Sequence, residues 1–363
     1  MDKARKYMLL AAFMLAPFGF LSYGNLHVGH QYALTLATLL IMASLIRNNY
    51  ISAFLTYTVA WLIFIFLYRM IDPRIPPMVA QNAFETVVFF IIGAVIFYAV
   101  TQSNFKNETF YNFICVAALL QCAIAISQRS GFDPILNGLS LFFPAKALLA
   151  TTTLTGTMFN PNFLAGYLAI SMPFFFRRYW NYGLVALIPC LYLSNTTSAI
   201  VPAIIGACYF YHDRLTRREQ WLSFTGGAVV AVAYACFQHS AFYLNPRWKD
   251  WIYAATQVRH DLFSIMAGFG PGAGWGKNYP MHNEWLQCLH QFGTVGLGLL
   301  AGYVATIHRN NRILFTAFLI AVINMFGNYS LHLAPSAFLI IIVAGLVERE
   351  RTKLWKPAEL AVT

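Results

Sequence analysis

The sequence predicts an all-α, polytopic integral membrane protein with about twelve transmembrane helices. Of its 363 residues, 59% are hydrophobic and only 10% are charged, whereas soluble domains average roughly 45–50% apolar and about 25% charged residues. The mean hydropathy is +0.58. A bilayer-spanning helix needs about 20 apolar residues, so twelve spans use most of the chain. We therefore expect a single membrane domain over residues 1–363, with no separate soluble domain.

The twelve apolar runs follow one another along the chain. The first resembles a signal peptide but lacks a small-residue cleavage site after it, so we interpret it as an uncleaved helix. The seventh and eighth runs are short, and merging them would force one helix through Pro189 and Pro202 and reverse the charge pattern of every later loop. We keep them as two spans. The runs cover 7–22, 28–46, 51–68, 84–102, 110–127, 160–176, 182–194, 198–211, 220–239, 288–307, 312–327 and 333–347.

The net charge of +11 is interpreted as an orientation signal. With the N-terminus in the cytoplasm, the cytoplasmic segments hold 16 of the 24 Lys and Arg residues and the outer segments hold the other 8. Cytoplasmic loops of membrane proteins carry such an excess of basic residues. Both termini are then expected in the cytoplasm, and the basic balance does not predict a nucleic-acid partner.

Two long loops fall on the outer side, at about 128–159 and 240–287, the second between the ninth and tenth helices. A loop that only reconnects two helices can be short, so we expect any chemistry here. Arg247 and Trp251 are four residues apart and would share one helix face. Arg247 and Arg259 could bring two guanidinium groups to one groove. Each guanidinium group can form two parallel hydrogen bonds to a phosphate group. The alternative is that they are snorkelling arginines at the membrane interface, whose charged groups reach the water and bind no substrate.

His282 is the candidate base of the second loop. An imidazole has an unperturbed pKa near working pH, so it can accept a proton from a hydroxyl. Glu284 follows closely and could orient the ring. The alternative is a solvated interfacial histidine with no chemical role.

Four motifs in this part of the chain together resemble the O-antigen ligase and polymerase superfamily of membrane glycosyltransferases. His282 and Gly293 also reproduce the superfamily's spacing of ten intervening residues. The resemblance covers about 156–300, including the loop at 240–287. Its motifs are the stretch 156–167 (GTMFNPNFLAGY), Arg247-x-x-x-Trp251, Gly268-x-Gly270-x-Gly272 and the stretch 282–287 (HNEWLQ).

The resemblance implies a metal-independent, inverting glycosyltransferase of the bacterial inner membrane that uses no cofactor. Such enzymes move a glycan from undecaprenyl pyrophosphate to an acceptor hydroxyl at the periplasmic face, and the acceptor could be lipid A-core, a lipid-linked glycan or a protein. His282 would be the catalytic base, and Arg247 and Arg259 would hold the pyrophosphate. The remaining substrate-binding candidates are Lys249, Trp251, Asn283 and Glu284.

One departure from the superfamily pattern concerns the segment after the seventh span. Members commonly have a Ser-Arg-Gly-like step there, and this chain has Ser198-Ala199-Ile200. Compensation by Lys249 or Arg259, a local shift of the alignment, and a divergent or inactive member all stay open.

The competing class is a membrane transporter or a flippase of lipid-linked sugars. Coupled carriers place ionisable groups within the membrane. The predicted spans are nearly free of such groups, with Glu85 at the edge of the fourth run as the main exception, and this favours the transferase.

Overall fold

The structure is a computed structural model, and the residues that it describes include eight α-helices. The predicted spans 7–22, 28–46 and 51–68 lie outside the described residues. The part that is described contains no strand, in agreement with the all-α prediction. The described residues are 93–94, 96–103, 105–134, 154–158, 160–222, 225–227, 229, 251–252, 256, 262–269, 283–307, 311–327 and 334–360.

Seven of the eight helices coincide with predicted spans. Two of them, α1 and α6, are long and apolar enough to cross a bilayer, and α2, α3, α4 and α7 belong to shorter apolar helices. The total of twelve spans stays a prediction. The helices are α1 (Asn107–Arg129), α2 (Pro161–Ser171), α3 (Leu184–Leu193), α4 (Thr197–Tyr211), α5 (Leu262–Ala267), α6 (Glu284–Ala305), α7 (Arg312–Asn324) and α8 (Ala334–Leu360).

The seventh and eighth predicted spans are two separate helices, as the prolines and the charge pattern indicated. The helices α3 and α4 are divided at 194–196, where Asn195 has a φ of 56°. Asn tolerates this left-handed conformation better than most residues. The hydroxyl of Thr196 then donates to the Asn162 side chain over 2.9 Å, which ties the break to the start of α2.

Helix α2 is the centre of the described bundle. Every residue from Leu164 to Ser171 is buried, and α2 packs against α1, α3, α4, α7 and α8. Asn160 begins the helix, since its side chain accepts from the Asn162 amide over 2.8 Å, and Pro161 fits the first turn, where no intrahelical donor is needed. Because α2 is surrounded by these helices, their positions in the bundle depend on their packing against it.

Basic side chains gather at one end of the bundle, where α1 and α7 begin and α4 ends. Arg312 donates to the carbonyl oxygen of Tyr209 over 2.9 Å and forms an ion pair with Asp213 at 3.0 Å. A hydrogen bond from His212 and the charge of Arg312 together lower the pKa of Asp213. Arg349 donates to the carbonyl oxygen of Phe105 over 2.8 Å. We call this the basic end; its described Lys and Arg residues are those that the charge pattern placed in the cytoplasm.

The opposite end contains the described parts of the loop that precedes α2. The buried Gln128 of α1 holds them: its amide nitrogen donates to Gly156 O over 2.8 Å and to Asp133 Oδ2 over 2.9 Å, and its oxygen accepts from the amides of Thr155 and Gly156 at 3.1 and 2.8 Å. Two turns earlier, Gln121 accepts from the Thr157 amide over 3.0 Å. Two glutamines on one helix face thus satisfy an irregular buried backbone, which would otherwise cost free energy. We call this end the amide end.

The Gln128→Leu variant should be markedly less stable, because it removes the four hydrogen bonds described above and a fifth from the Thr155 hydroxyl. It also leaves the buried amides of Thr155 and Gly156 without an acceptor. Each buried unsatisfied group costs about 1–3 kcal/mol, so the apparent unfolding midpoint of the detergent-purified protein should fall clearly. The matched control is Gln102→Leu at an exposed helical position, which should leave the midpoint almost unchanged. Equal midpoints for both variants would contradict this role of Gln128.

Candidate functional site

The candidate site lies at the amide end, where α6 begins. Asn283 is the N-cap of α6, and its side-chain oxygen accepts from the Leu286 amide over 3.1 Å. The amide of Glu284 donates to the carbonyl oxygen of Met325 at the end of α7 over 2.8 Å. The Trp285 ring stacks on Phe326 with a centroid distance of 5.4 Å. Three consecutive residues therefore fix the start of α6 against the end of α7.

One face of the first two turns of α6 is polar and buried. A helix turns about 100° per residue, so five polar residues spaced over 283–291 fall within about 120° of its circumference. Each of them is at most 8% exposed. Burial of polar groups in an apolar environment is costly unless they are hydrogen-bonded, so the residues of this face need polar partners within the protein. We call this face the polar arc; it consists of Asn283, Glu284, Gln287, His290 and Gln291.

Helix α6 is broken directly after the polar arc. Gly293 has φ 65° and ψ −166°, a region that is essentially restricted to glycine. The carbonyl of His290 next to the break accepts from the Phe269 amide over 2.8 Å, and the two side-chain rings lie 4.8 Å apart. Non-helical backbone at membrane depth is tolerated only where protein buries it or where it lines a cavity.

The break fits against the turn that follows α5. A methyl group added at Gly293 would collide with the backbone of Met266 and Ala267, and one added at Gly268 would lie 2.5 Å from the carbonyl carbon of Gln291. Gly268 also has a positive φ, of 70°. Backbone therefore packs on backbone, which explains why glycine is needed at both positions.

The predicted site residues divide into two groups. Asn283 and Glu284 lie together in the buried start of α6, and Trp251 is a half-buried helical residue. His282, Arg247, Lys249 and Arg259 lie outside the described residues. Their predicted roles are therefore untested.

The sequence interpretation placed the start of the tenth span at 288, and the structure corrects this to Glu284. Because the helix begins four residues before the predicted span, Glu284 and His290 lie on the same helix. The description of the predicted spans as nearly free of ionisable groups, with Glu85 as the main exception, leaves out His290, which lies within 288–307. The sequence places His290 eight residues after His282, near the same helical face, but His290 was not chosen as a site residue. Gln287 and Gln291 were missed, although their spacing of three and four residues along the helix is a readable signal.

The departure from the superfamily pattern at Ser198 has a structural counterpart. Ala199, in the position where an arginine was sought, has no exposed surface and belongs to the apolar core. Its neighbour Ser198 faces Gly327, where an added methyl group would lie 2.6 Å from the serine Cβ. An arginine at 199 would require this part of the bundle to repack.

The stretch 156–162 that contributed to the resemblance lies at the same end of the bundle. Gly156 has a φ of 58°, and an added methyl group would meet the side chain of Gln121 at 2.5 Å. Asn162 accepts from Thr196 as described above. The backbone at Gly156 therefore requires a glycine, and the side chain of Asn162 is held by a hydrogen bond from a hydroxyl group.

No family model, curated protein or solved structure matches this chain. The superfamily resemblance accordingly stays a prediction that depends on the quoted motifs.

The Gly293→Ala variant should lose stability by more than about 2 kcal/mol, because alanine is strained in this backbone region and its methyl group collides with the chain after α5. Gly298→Ala is a matched control in the same helix, since an added methyl group there meets nothing within 4 Å. Alanine normally favours a helix over glycine by about 0.5–1 kcal/mol. We expect a lower thermal midpoint for the first variant and an equal or higher one for the second. A tolerated Gly293→Ala change would contradict the described break.

Proposed function

We propose that this chain transfers a glycan from undecaprenyl pyrophosphate to an acceptor hydroxyl at the periplasmic face of the bacterial inner membrane. The observation that carries the proposal is the polar arc of the broken helix α6. The first residue of the arc, Asn283, directly follows His282. The four superfamily-like motifs also support it, and two of them, 156–167 and 282–287, include described residues at the same end of the bundle.

The proposed orientation follows from charge. The basic end carries Lys106, Arg177, Arg178, Arg312 and Arg349, and basic residues favour the cytoplasmic side. The amide end would then face the periplasm, where the lipid-linked glycan is presented. This orientation and the inner-membrane location belong to the proposal.

In the proposed reaction, His282 accepts the proton of the acceptor hydroxyl while the acceptor oxygen attacks the anomeric carbon of the donor sugar. The bond from that carbon to the phosphate oxygen breaks, and undecaprenyl pyrophosphate leaves with the bonding electron pair. A single displacement of this kind inverts the anomeric configuration. Arg247 and Arg259 would stabilise the charge that develops on the leaving group, with Lys249 as a further cation.

The start of α6 modifies two of the predicted roles. Because the side-chain oxygen of Asn283 caps the helix, Asn283 serves to position the adjacent His282 rather than to bind the substrate through that oxygen. The buried Glu284 is held through its backbone by Met325 and lies in the first helical turn, where a negative charge is favoured. It is suited to orient the imidazole of His282.

The second candidate is a transporter or flippase of lipid-linked sugars. Glu284 and His290 favour it, because ionisable groups inside a span often mark transport pathways. The two candidates differ in chemistry: a transferase breaks the bond between glycan and pyrophosphate, and a flippase leaves it intact.

The His282→Ala variant should abolish glycan transfer in cells that lack the chromosomal copy, because the hydroxyl would have no base. The readout is a gel of the lipopolysaccharide, with the amount of membrane-inserted protein measured in parallel. Loss of all capped core would indicate ligation to lipid A-core, and capping by a single repeat would indicate polymerisation.

The matched control is His212→Ala, because His212 is exposed at the basic end and should be dispensable. Retention of the wild-type glycan pattern by His282→Ala would remove His282 from the mechanism. Equal loss of activity in both variants would indicate a general effect on the protein.

A further inference from the structure

A fixed guanidinium group lies at the basic end, away from the candidate site. Arg177 follows the short 3-10 turn Met172–Phe176 after α2. Its Nε donates to the carbonyl oxygen of Phe174 over 3.3 Å, and its Nη2 donates to Asn112 Oδ1 on α1. The guanidinium carbon also lies 5.3 Å from the centre of the Tyr111 ring. These contacts hold a normally flexible side chain in one position.

Asn112 joins this guanidinium group to an indole ring. Its side-chain oxygen also accepts from Trp180 Nε1 over 3.0 Å. Trp180 in turn contacts the edge of Phe175 at a centroid distance of 6.2 Å. One amide oxygen therefore positions both a cation and an aromatic donor, although Asn112 itself is exposed.

The remaining donors of Arg177 are suited to a phosphate group. An arginine has five N–H donors, and two are used as described; the others make no hydrogen bond within the described part of the chain. A planar guanidinium edge can bind two oxygens of one phosphate at once. The site is preorganised, which lowers the entropic cost of binding.

The surroundings are cationic and aromatic. Arg178 follows Arg177 in the sequence and is exposed, as is Lys106 just before α1 at the same end. Acidic groups at this end include Glu108, one turn before Asn112, and Glu350, which accepts from Asn107 Nδ2 over 2.6 Å. Tyr179 and Tyr182 are 81% and 80% exposed. Tyr and Trp are enriched at the level of lipid headgroups, and basic residues near a membrane attract anionic lipids.

We propose that Arg177, positioned by Asn112 and flanked by Arg178 and Trp180, binds the phosphate of an anionic phospholipid in the leaflet at the basic end. The proposal requires that the chain lies in a bilayer but does not depend on glycan transfer. Asn112 is a positioning residue for this site.

The test measures the affinity of the full-length protein in detergent micelles for short-chain phosphatidylglycerol, with phosphatidylcholine and inorganic phosphate as comparison probes. Arg177→Gln should weaken phosphatidylglycerol binding roughly tenfold or more, about the effect of one charge-assisted hydrogen bond. Arg177→Lys keeps the charge but loses the two-pronged geometry and should also bind less tightly. Asn112→Ala should give a smaller loss, because the guanidinium is still present but no longer fixed.

The matched control removes charge elsewhere at the same end, as Arg217→Gln with Arg218→Gln, and should leave the affinity near that of the unchanged protein. A wild-type affinity in Arg177→Gln would overturn the proposal, as would equal binding of phosphatidylcholine. Full competition by inorganic phosphate at the same concentration as the lipid would show a free-phosphate site and would also overturn it. Gel filtration of each variant verifies that the fold is retained.

Discussion

Irregular backbone inside an apolar protein must find its hydrogen-bond partners within the protein, since lipid tails offer none. The described bundle meets this requirement at two of its interruptions. Gln121 and Gln128 form hydrogen bonds with the backbone at 155–157. The amide of Phe269 donates to the carbonyl oxygen of His290, beside the break at Gly293. The interruptions are thus maintained by specific partners, which require specific side chains.

These interruptions are concentrated at one end of the bundle. The buried loop held by Gln128, the break between α3 and α4, and the polar arc of α6 all lie at the amide end. The basic end instead contains exposed arginines and aromatic rings, with contacts that join helix termini, such as Arg312 to Tyr209 O. The two ends are chemically different, and a protein that acts on one side of a membrane would need such a difference.

Hydropathy predicted the existence of seven of the described helices because their apolar runs are long compared with the intervening loops. The split between α3 and α4 was also predictable, since Pro189, Pro202 and the charge pattern agree. The start of α6 was predicted too late because hydropathy averaged along the sequence is low where polar residues occupy one helix face. Glu284 and Gln287 resemble loop residues when their helical spacing is ignored. A hydropathy scan hides the polar arc for the same reason.

Other features depend on contacts between distant segments, which no local pattern reveals. Gly293 is one of four glycines in α6. Its spacing from His282 singled it out in the sequence, but only the close approach of the chain after α5 shows that the helix is broken there. The role of Gln128 likewise depends on a loop 27 residues away. The quoted motifs include Asn283 and Glu284, but they could not indicate that the side chain of Asn283 caps helix α6.

The proposed function depends most directly on whether a glycan is transferred to an acceptor or only moved across the membrane. The decisive measurement uses the purified chain in liposomes that contain lipid-linked glycans from cells lacking the gene, together with lipid A-core, lipid-linked glycan or protein acceptors. We expect free undecaprenyl pyrophosphate to appear in equal amount to a new glycosylated acceptor, without added metal. Movement of intact lipid-linked glycan to the other leaflet, with no pyrophosphate released for any acceptor, would contradict the account and establish the flippase alternative.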